Sequence, residues 1–222
     1  MKKSVLTKDL FSCDCEYIKP LFENTDYPWE MLPKIGGYIE AFIASKPEGF
    51  TEVKKGVFAG KDVEIAKTAT IEPPAVFGDG TKIRPGAYIR GKVITGRNCV
   101  IGNSTEIKNS ILLDNVQVPH YNYVGDSVLG NYSHMGAGAI CSNLKADKTN
   151  VVVHGDEAHE TGLKKIGGIL ADRADIGCGC VLNPGTVIGK NTNVYPLVRL
   201  RGVYPEGCIV KDSDNIVERI ER

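Results

Sequence analysis

The sequence predicts an all-β chain whose body is a parallel β-helix. Three observations carry this. An aliphatic or near-aliphatic residue recurs every six positions, small residues precede it, and turn formers fill the remainder. The stretch KIRPGAYIRG shows the unit: Ile83 and Ile89 are six apart, and Pro85, Gly86 and Gly91 break any longer helix or strand. Glycine makes up 25 of the 222 residues, as a fold built on turns requires.

The repeat runs through Ile65, Ile71, Phe77, Ile83, Ile89, Thr95, Ile101, Ile107, Leu113 and Pro119 in steps of six. One five-residue step, Val124 to Leu129, precedes Met135 and Cys141. The pattern returns at Leu170, Ile176, Leu182, Ile188, Val194 and Leu200. Six residues make one short strand and one corner. Three such units make a triangular coil, and stacked coils pair backbone groups at roughly 4.8 Å. The aliphatic points into the prism, the small residue sits near the corner, and Gly, Asn and Asp supply the turn conformations. Similarity to the hexapeptide-repeat class implies a left-handed parallel β-helix, against the usual crossover hand.

The repeat defines the domain organisation. Residues 1–55 lack it. Trp29, Leu32, Ile35, Tyr38, Ile39 and Phe42 instead fall at helical spacing between Pro28 and Pro47. They predict a short N-terminal helical cap over the open first coil, hiding its strand edge. The β-helix is expected over 56–210, and a short C-terminal helix over 211–222. Between Cys141 and Leu170 the repeat stops, and residues 144–166 read as an extruded loop, long and charged enough to be functional.

Composition narrows the function. There are 27 Lys and Arg against 27 Asp and Glu, so no basic surface for nucleic acid is expected. No signal peptide or membrane span is legible, which makes a cytoplasmic location the expectation and the seven cysteines thiols. Cys13-x-Cys15 and Cys178-x-Cys180 lack the spacing of closed zinc sites, and no metal is expected there. The pair His154 and His159 has the spacing of two ligands in zinc carbonic anhydrases with hexapeptide repeats. It falls in the charged loop with no apolar hexad around it, which makes that reading minor.

The segment 84–144 carries four linked motifs: Arg84-Pro85-Gly86; Gly102-Asn103 through Glu106 and Lys108; His120 through Tyr123 to Gly125-Asp126; and Met135-Gly136-Ala137-Gly138 through Asn143. In this order they resemble the acetyltransferase half of the bifunctional N-acetylglucosamine-1-phosphate uridylyltransferase/glucosamine-1-phosphate acetyltransferase. The resemblance implies an acyl-CoA-dependent N-acyltransferase that uses acetyl-CoA. Its acceptor would be an amino-sugar phosphate such as glucosamine 1-phosphate, or a nucleotide-linked amino sugar. The enzyme would be a homotrimer with sites between neighbouring prisms. It further implies His120 as general base, Arg84 and Lys108 as phosphate ligands, and Tyr123 and Asn143 as sugar-phosphate contacts. Ala137, Ser142 and Cys178 would line the acetyl-CoA channel, and Lys164 or Lys165 would complete the phosphate pocket. No loop of the type G-x-G-T-R-M occurs before residue 60, so no nucleotidyltransferase domain is expected. Departures are His134 and Leu144, where the family has asparagine and tyrosine, and the longer loop.

The residues support this chemistry directly. Acyl transfer from a thioester needs an unprotonated amine, and histidine titrates in the range that makes it a useful base. Arginine offers phosphate a fork and lysine a point charge. Backbone N–H groups of Gly136-Ala137-Gly138 are expected to polarise the thioester carbonyl. The competing reading is a non-catalytic trimeric scaffold or sugar-phosphate-binding β-helix.

Overall fold

The computed structural model describes residues 1–220. Three long sheets form the sides of a left-handed parallel β-helix. The covered face runs over nine strands, from Thr51–Lys54 to Val203–Tyr204. The polar face also has nine, from Glu64–Ile65 to Asn215–Glu218. The site face has seven, from Thr70–Glu72 to Arg199–Leu200. The chain visits covered, polar and site faces in turn, so every coil crosses three corners.

The six-residue repeat fills the prism. Ile83, Ile89, Ile101, Ile107, Leu182 and Ile188 lie in one buried cluster. Thr95 takes an aliphatic position and satisfies its hydroxyl against the Gly96 carbonyl at 3.1 Å. Coils approach too closely for side chains at some corners: a Cβ on Gly102 would fall on the Pro119 carbonyl. Asn98, Asn115 and Asn191 hold the corner between covered and polar faces at positive φ, a conformation asparagine tolerates better than most residues.

The register differs from the repeat in one place. Leu112 and Val118 point inward, not Leu113 and Pro119. Ser110 pairs with Val93 and Ile111 with Val128, so these coils take 17 residues. The first of them loses its residue at the corner after Lys108, where Asn109 adopts φ 44°, and the second at the equivalent corner after Gly125, where Asp126 adopts φ 50°. Leu113 is then free to face outward.

Neither terminus behaves as expected. Short helices form at Thr7–Leu10, Lys19–Phe22, Pro28–Met31 (a 3-10 turn) and Ile35–Ala44, but they do not cap the first coil. They lie along the covered face. Its outward aliphatics Val76, Ile94, Ile111, Val128, Ile169 and Val187 are buried with Leu10, Ile18, Trp29, Ile35 and Ile39. The segment runs from last coil to first. The Glu206 N–H donates to the Lys2 carbonyl at 3.0 Å, the Asp172 N–H to the Leu10 carbonyl at 3.1 Å, and the Tyr17 hydroxyl to the Thr95 carbonyl at 2.8 Å. An outward aliphatic row on the solvent side of a sheet demands such a cover. The edge of the first coil is closed by Thr51–Lys54, antiparallel to Val57–Ala59.

The C-terminal helix expected over 211–222 is a β-hairpin, Cys208–Asp212 with Asn215–Glu218; residues 221–222 lie outside the description. Asp212 accepts the Asp214 N–H at 3.0 Å and sets the turn, and Ile216 packs onto the last coil. Turn chemistry and β-branched residues overrule the helical spacing here.

Candidate active site

The site face collects most of the expected residues, at two opposite corners. At the corner with the polar face stands His120, at the end of the Gln117–His120 strand. Its side chain is exposed, while its carbonyl accepts the Gly138 N–H at 3.0 Å and its N–H donates to Asn122 Oδ1 at 3.1 Å. Ala137 and then Cys178 occupy the same corner in the next two coils, joined by the Gly179 N–H to Ala137 carbonyl bond at 2.8 Å. Small residues thus rise in line above His120.

Tyr123 opens the strand beside His120 and points out of the site face, half-buried; burial pushes its phenol up. It receives Asn143 Nδ2 at 3.2 Å. Asn143 also donates to Asp126, as does Asn109, at 2.9 Å. Asp126 is buried and faces Lys108 Nζ at 3.0 Å. Tyr123, Asn143, Asp126 and Lys108 therefore form one network reaching across to the corner with the covered face. The Lys108 strand pairs with that of Tyr123, placing Lys108 beside Gly125. A Cβ on Gly125 would strike both the Tyr123 hydroxyl and the Asn143 amide.

Three expectations need correction. Arg84 is exposed at the His120 corner and does not reach Lys108; its coil lies below that of Gly102. The arginine that lines the Lys108 cleft is Arg90, on the next strand of the site face, held by Glu106 at 2.8 Å. The signal for it is the coil length: Arg90 lies one 18-residue coil before Lys108, a weaker cue in the sequence than the Arg-Pro-Gly motif. Gly136 and Gly138 spend their N–H groups on Ile176 and His120 carbonyls, so those two cannot polarise a thioester. Ser142 stands apart from Ala137 and Cys178. It lines a separate cleft of about 480 Å³ with Asn183, His154 and Arg201.

Lys165 bridges to Leu144 at the base of the loop, next to Asn143, whose carbonyl accepts the Ile166 N–H. Lys164 is exposed beside it. The loop does not fold over the site face. Val152–His154 and Ala158–Glu160 form a hairpin, and His159 lies against the stacked rings of Tyr27 and Trp29. His154 and His159 therefore serve different surroundings. His134, the noted departure, pairs with Asp175 at 2.8 Å on the polar face.

Residues 71–161 match the family model described as the GMPPB C-terminal domain. The chain is 33% identical over 190 residues to the bifunctional protein GlmU of Methanococcus aeolicus, covering 78% of this chain and 46% of that protein. It is 30% identical over 174 residues to the bifunctional sugar-1-phosphate nucleotidylyltransferase/acetyltransferase of Sulfurisphaera tokodaii, covering 76% and 43%. Among solved structures, a mutant of AntD, an N-acyltransferase from Bacillus cereus, aligns with TM-score 0.43 and 19% identity over 79% of this chain and 93% of that one. The chain spans about half the length of the curated relatives it matches. With its repeat, its stacked coils and these curated relatives, it is a hexapeptide-repeat protein similar to the acetyltransferase half of the bifunctional GlmU proteins.

Proposed function

We propose that this chain is an acetyl-CoA-dependent N-acyltransferase acting on an amino-sugar phosphate, or on a nucleotide-linked amino sugar, as a homotrimer. The observation that carries the reading is the site face itself. An exposed imidazole stands at one edge, a cationic cleft with Arg90 and Lys108 at the other, and Tyr123 and Asn143 between them.

In the reaction, the acceptor nitrogen attacks the thioester carbonyl as the free amine, and His120 takes its proton as the new carbon–nitrogen bond forms. The carbon–sulfur bond breaks, coenzyme A leaves as the thiolate, and the imidazolium returns a proton to it. The small residues Ala137 and Cys178 above His120 leave room for a narrow thioester arm. Arg90 and Lys108 hold the phosphate in ground and transition states, and Lys165, beside Asn143, closes that side. The neighbouring prism of the trimer would cover the His120 edge and exclude water.

Thiol release from acetyl-CoA in the presence of glucosamine 1-phosphate, followed with a thiol reagent, tests this. Release dependent on both the acceptor and His120 supports it. Release at background with amino-sugar phosphates and nucleotide-linked amino sugars alike overturns it and leaves the scaffold reading.

A further inference from the structure

The cleft holding Arg90 and Lys108 has a second wall that does not come from the β-helix. It measures about 500 Å³, and its far side is the helix Ile35–Ala44 of the N-terminal segment. Gly36, Gly37 and Glu40 of that helix line it. They share a face at three- and four-residue spacing. Gly37 has open space where a Cβ would be, so the wall is recessed there. Gly36 receives the aliphatic stem of Lys92, with Lys92 carbons 3.2 Å from its would-be Cβ, so a side chain at 36 would push that stem outward by a few tenths of an ångström.

The charges in the cleft are closely matched. Arg90 is paired with Glu106, and Lys108 with Asp126, whose carboxylate also takes Asn109 and Asn143. Lys92 and Glu40 remain, one from each wall, and among the described residues neither has a side-chain partner. One added phosphate can be met by Lys92 together with Lys108 and Arg90. A second phosphate would meet the Glu40 carboxylate with no cation left to offset it. An unpaired charge placed against the wrong ligand is a recognised route to specificity.

We propose that the Ile35–Ala44 helix is the acceptor-selecting wall of this site: Lys92, laid across Gly36, adds a phosphate contact, and Glu40 rejects a diphosphate, so the acceptor is a sugar phosphate monoester. The proposal rests on the acyltransferase reading of the site face. The cover that the sheet's outward aliphatics require has thereby become part of the binding site.

The test is calorimetric binding of glucosamine 1-phosphate and of UDP-glucosamine to the full chain, with the wild type, Lys92→Met and Glu40→Gln. Methionine keeps the stem on Gly36 and removes the charge. Wild type should bind the monoester at least about tenfold more tightly, the scale of one charge-assisted contact. Lys92→Met should weaken the monoester by about tenfold. Glu40→Gln should leave the monoester within about twofold and tighten the diphosphate by several-fold. Equal or tighter wild-type binding of UDP-glucosamine, no measurable binding of either sugar, or two variants that change neither affinity would each overturn the proposal. Thiol release from acetyl-CoA separates it from the reading beneath it. Acceptor- and His120-dependent release with unchanged variant affinities removes the wall and keeps the acyltransferase. The expected affinities with background release from every acceptor keep the wall and remove the acyltransferase.

Discussion

Lys108 and Asp126 are bonded to each other at 3.0 Å, at the corner where the site face meets the covered face. Lys108 keeps about a fifth of its side-chain surface exposed (18%), whereas Asp126 keeps 9%. The pair is thus anchored on its acidic side and open on its basic side. Asp126 holds Lys108, Asn109 and Asn143 at once, so its removal orphans three donors. Asp126→Ala should cost about 2–3 kcal/mol of stability. Asp126→Asn, which keeps an acceptor, should cost less. Urea unfolding midpoints at constant m-value measure both. Equal midpoints for Asp126→Ala and wild type would show that the network is not structural.

The covered face gives a second prediction. Ile111 is fully buried, yet it points away from the prism interior, under the N-terminal segment. Ile111→Ala should cost about 2–4 kcal/mol, like any core truncation. It should also loosen the segment, which carries the one tryptophan, Trp29. Tryptophan emission should shift to the red at denaturant concentrations below the main transition. A substitution without effect on stability or emission would mean that the segment does not need that face.

The coils are legible because their cause is periodic. A prism interior admits an aliphatic only where the chain turns inward, and that spacing shows in Ile65 through Ile107. The one-residue slip to Leu112 is hidden because Leu112 and Leu113 are both aliphatic, and only the cover over Leu113 separates them. The helices of the N-terminal segment are legible and their position is not. Amphipathic spacing says that a face is buried, never against what. The same limit applies to the site. Lys108, His120, Tyr123 and Asn143 stand out as a linked motif, whereas Arg90 is brought to Lys108 only by coil stacking. Glu40 and Lys92 are joined by packing across more than fifty residues, which no local pattern encodes.

If sites lie between prisms, the chain should be a trimer. The His120 corner carries Tyr121 at 65% exposure and Leu197 at 82%, large apolar groups that a neighbour would bury. Multi-angle light scattering at micromolar concentration should return three chain masses. Leu197→Asp should shift that mass toward one chain and lower turnover with it. A single-chain mass for the wild type would remove the shared-site architecture.

The polar face carries a pH signature. Asp175 is held below its ordinary value of 3.8, first by the hydrogen bond from His134. Because the folded value is depressed, the stabilisation is fully present above the ordinary value and is lost as pH falls through the folded one. Both side chains are about half exposed, so the effect is small. The difference in urea midpoint between wild type and His134→Ala should be open at about pH 5 and close below the ordinary carboxylate range. A gap that persists unchanged at acid pH would assign the cost of the substitution to packing instead.

The sharpest division lies between His120, Arg90 and Arg84. His120→Ala should lower kcat by about 10²–10⁴, the usual share of general-base catalysis, and leave the affinity for acetyl-CoA close to wild type. Arg90 shares the cleft with Lys108, so Arg90→Ala should raise KM for the phosphorylated acceptor with little change in kcat, the mark of binding that is uniform between ground and transition states. Arg84 stands at the other corner, and Arg84→Ala should leave both parameters close to wild type. Steady-state kinetics with glucosamine 1-phosphate, varied against saturating acetyl-CoA, separates the three. A large KM effect at Arg84 with none at Arg90 would restore the motif-based assignment and show that the acceptor phosphate binds at the His120 corner. Wild-type turnover in His120→Ala would mean that another group takes the proton released on acylation.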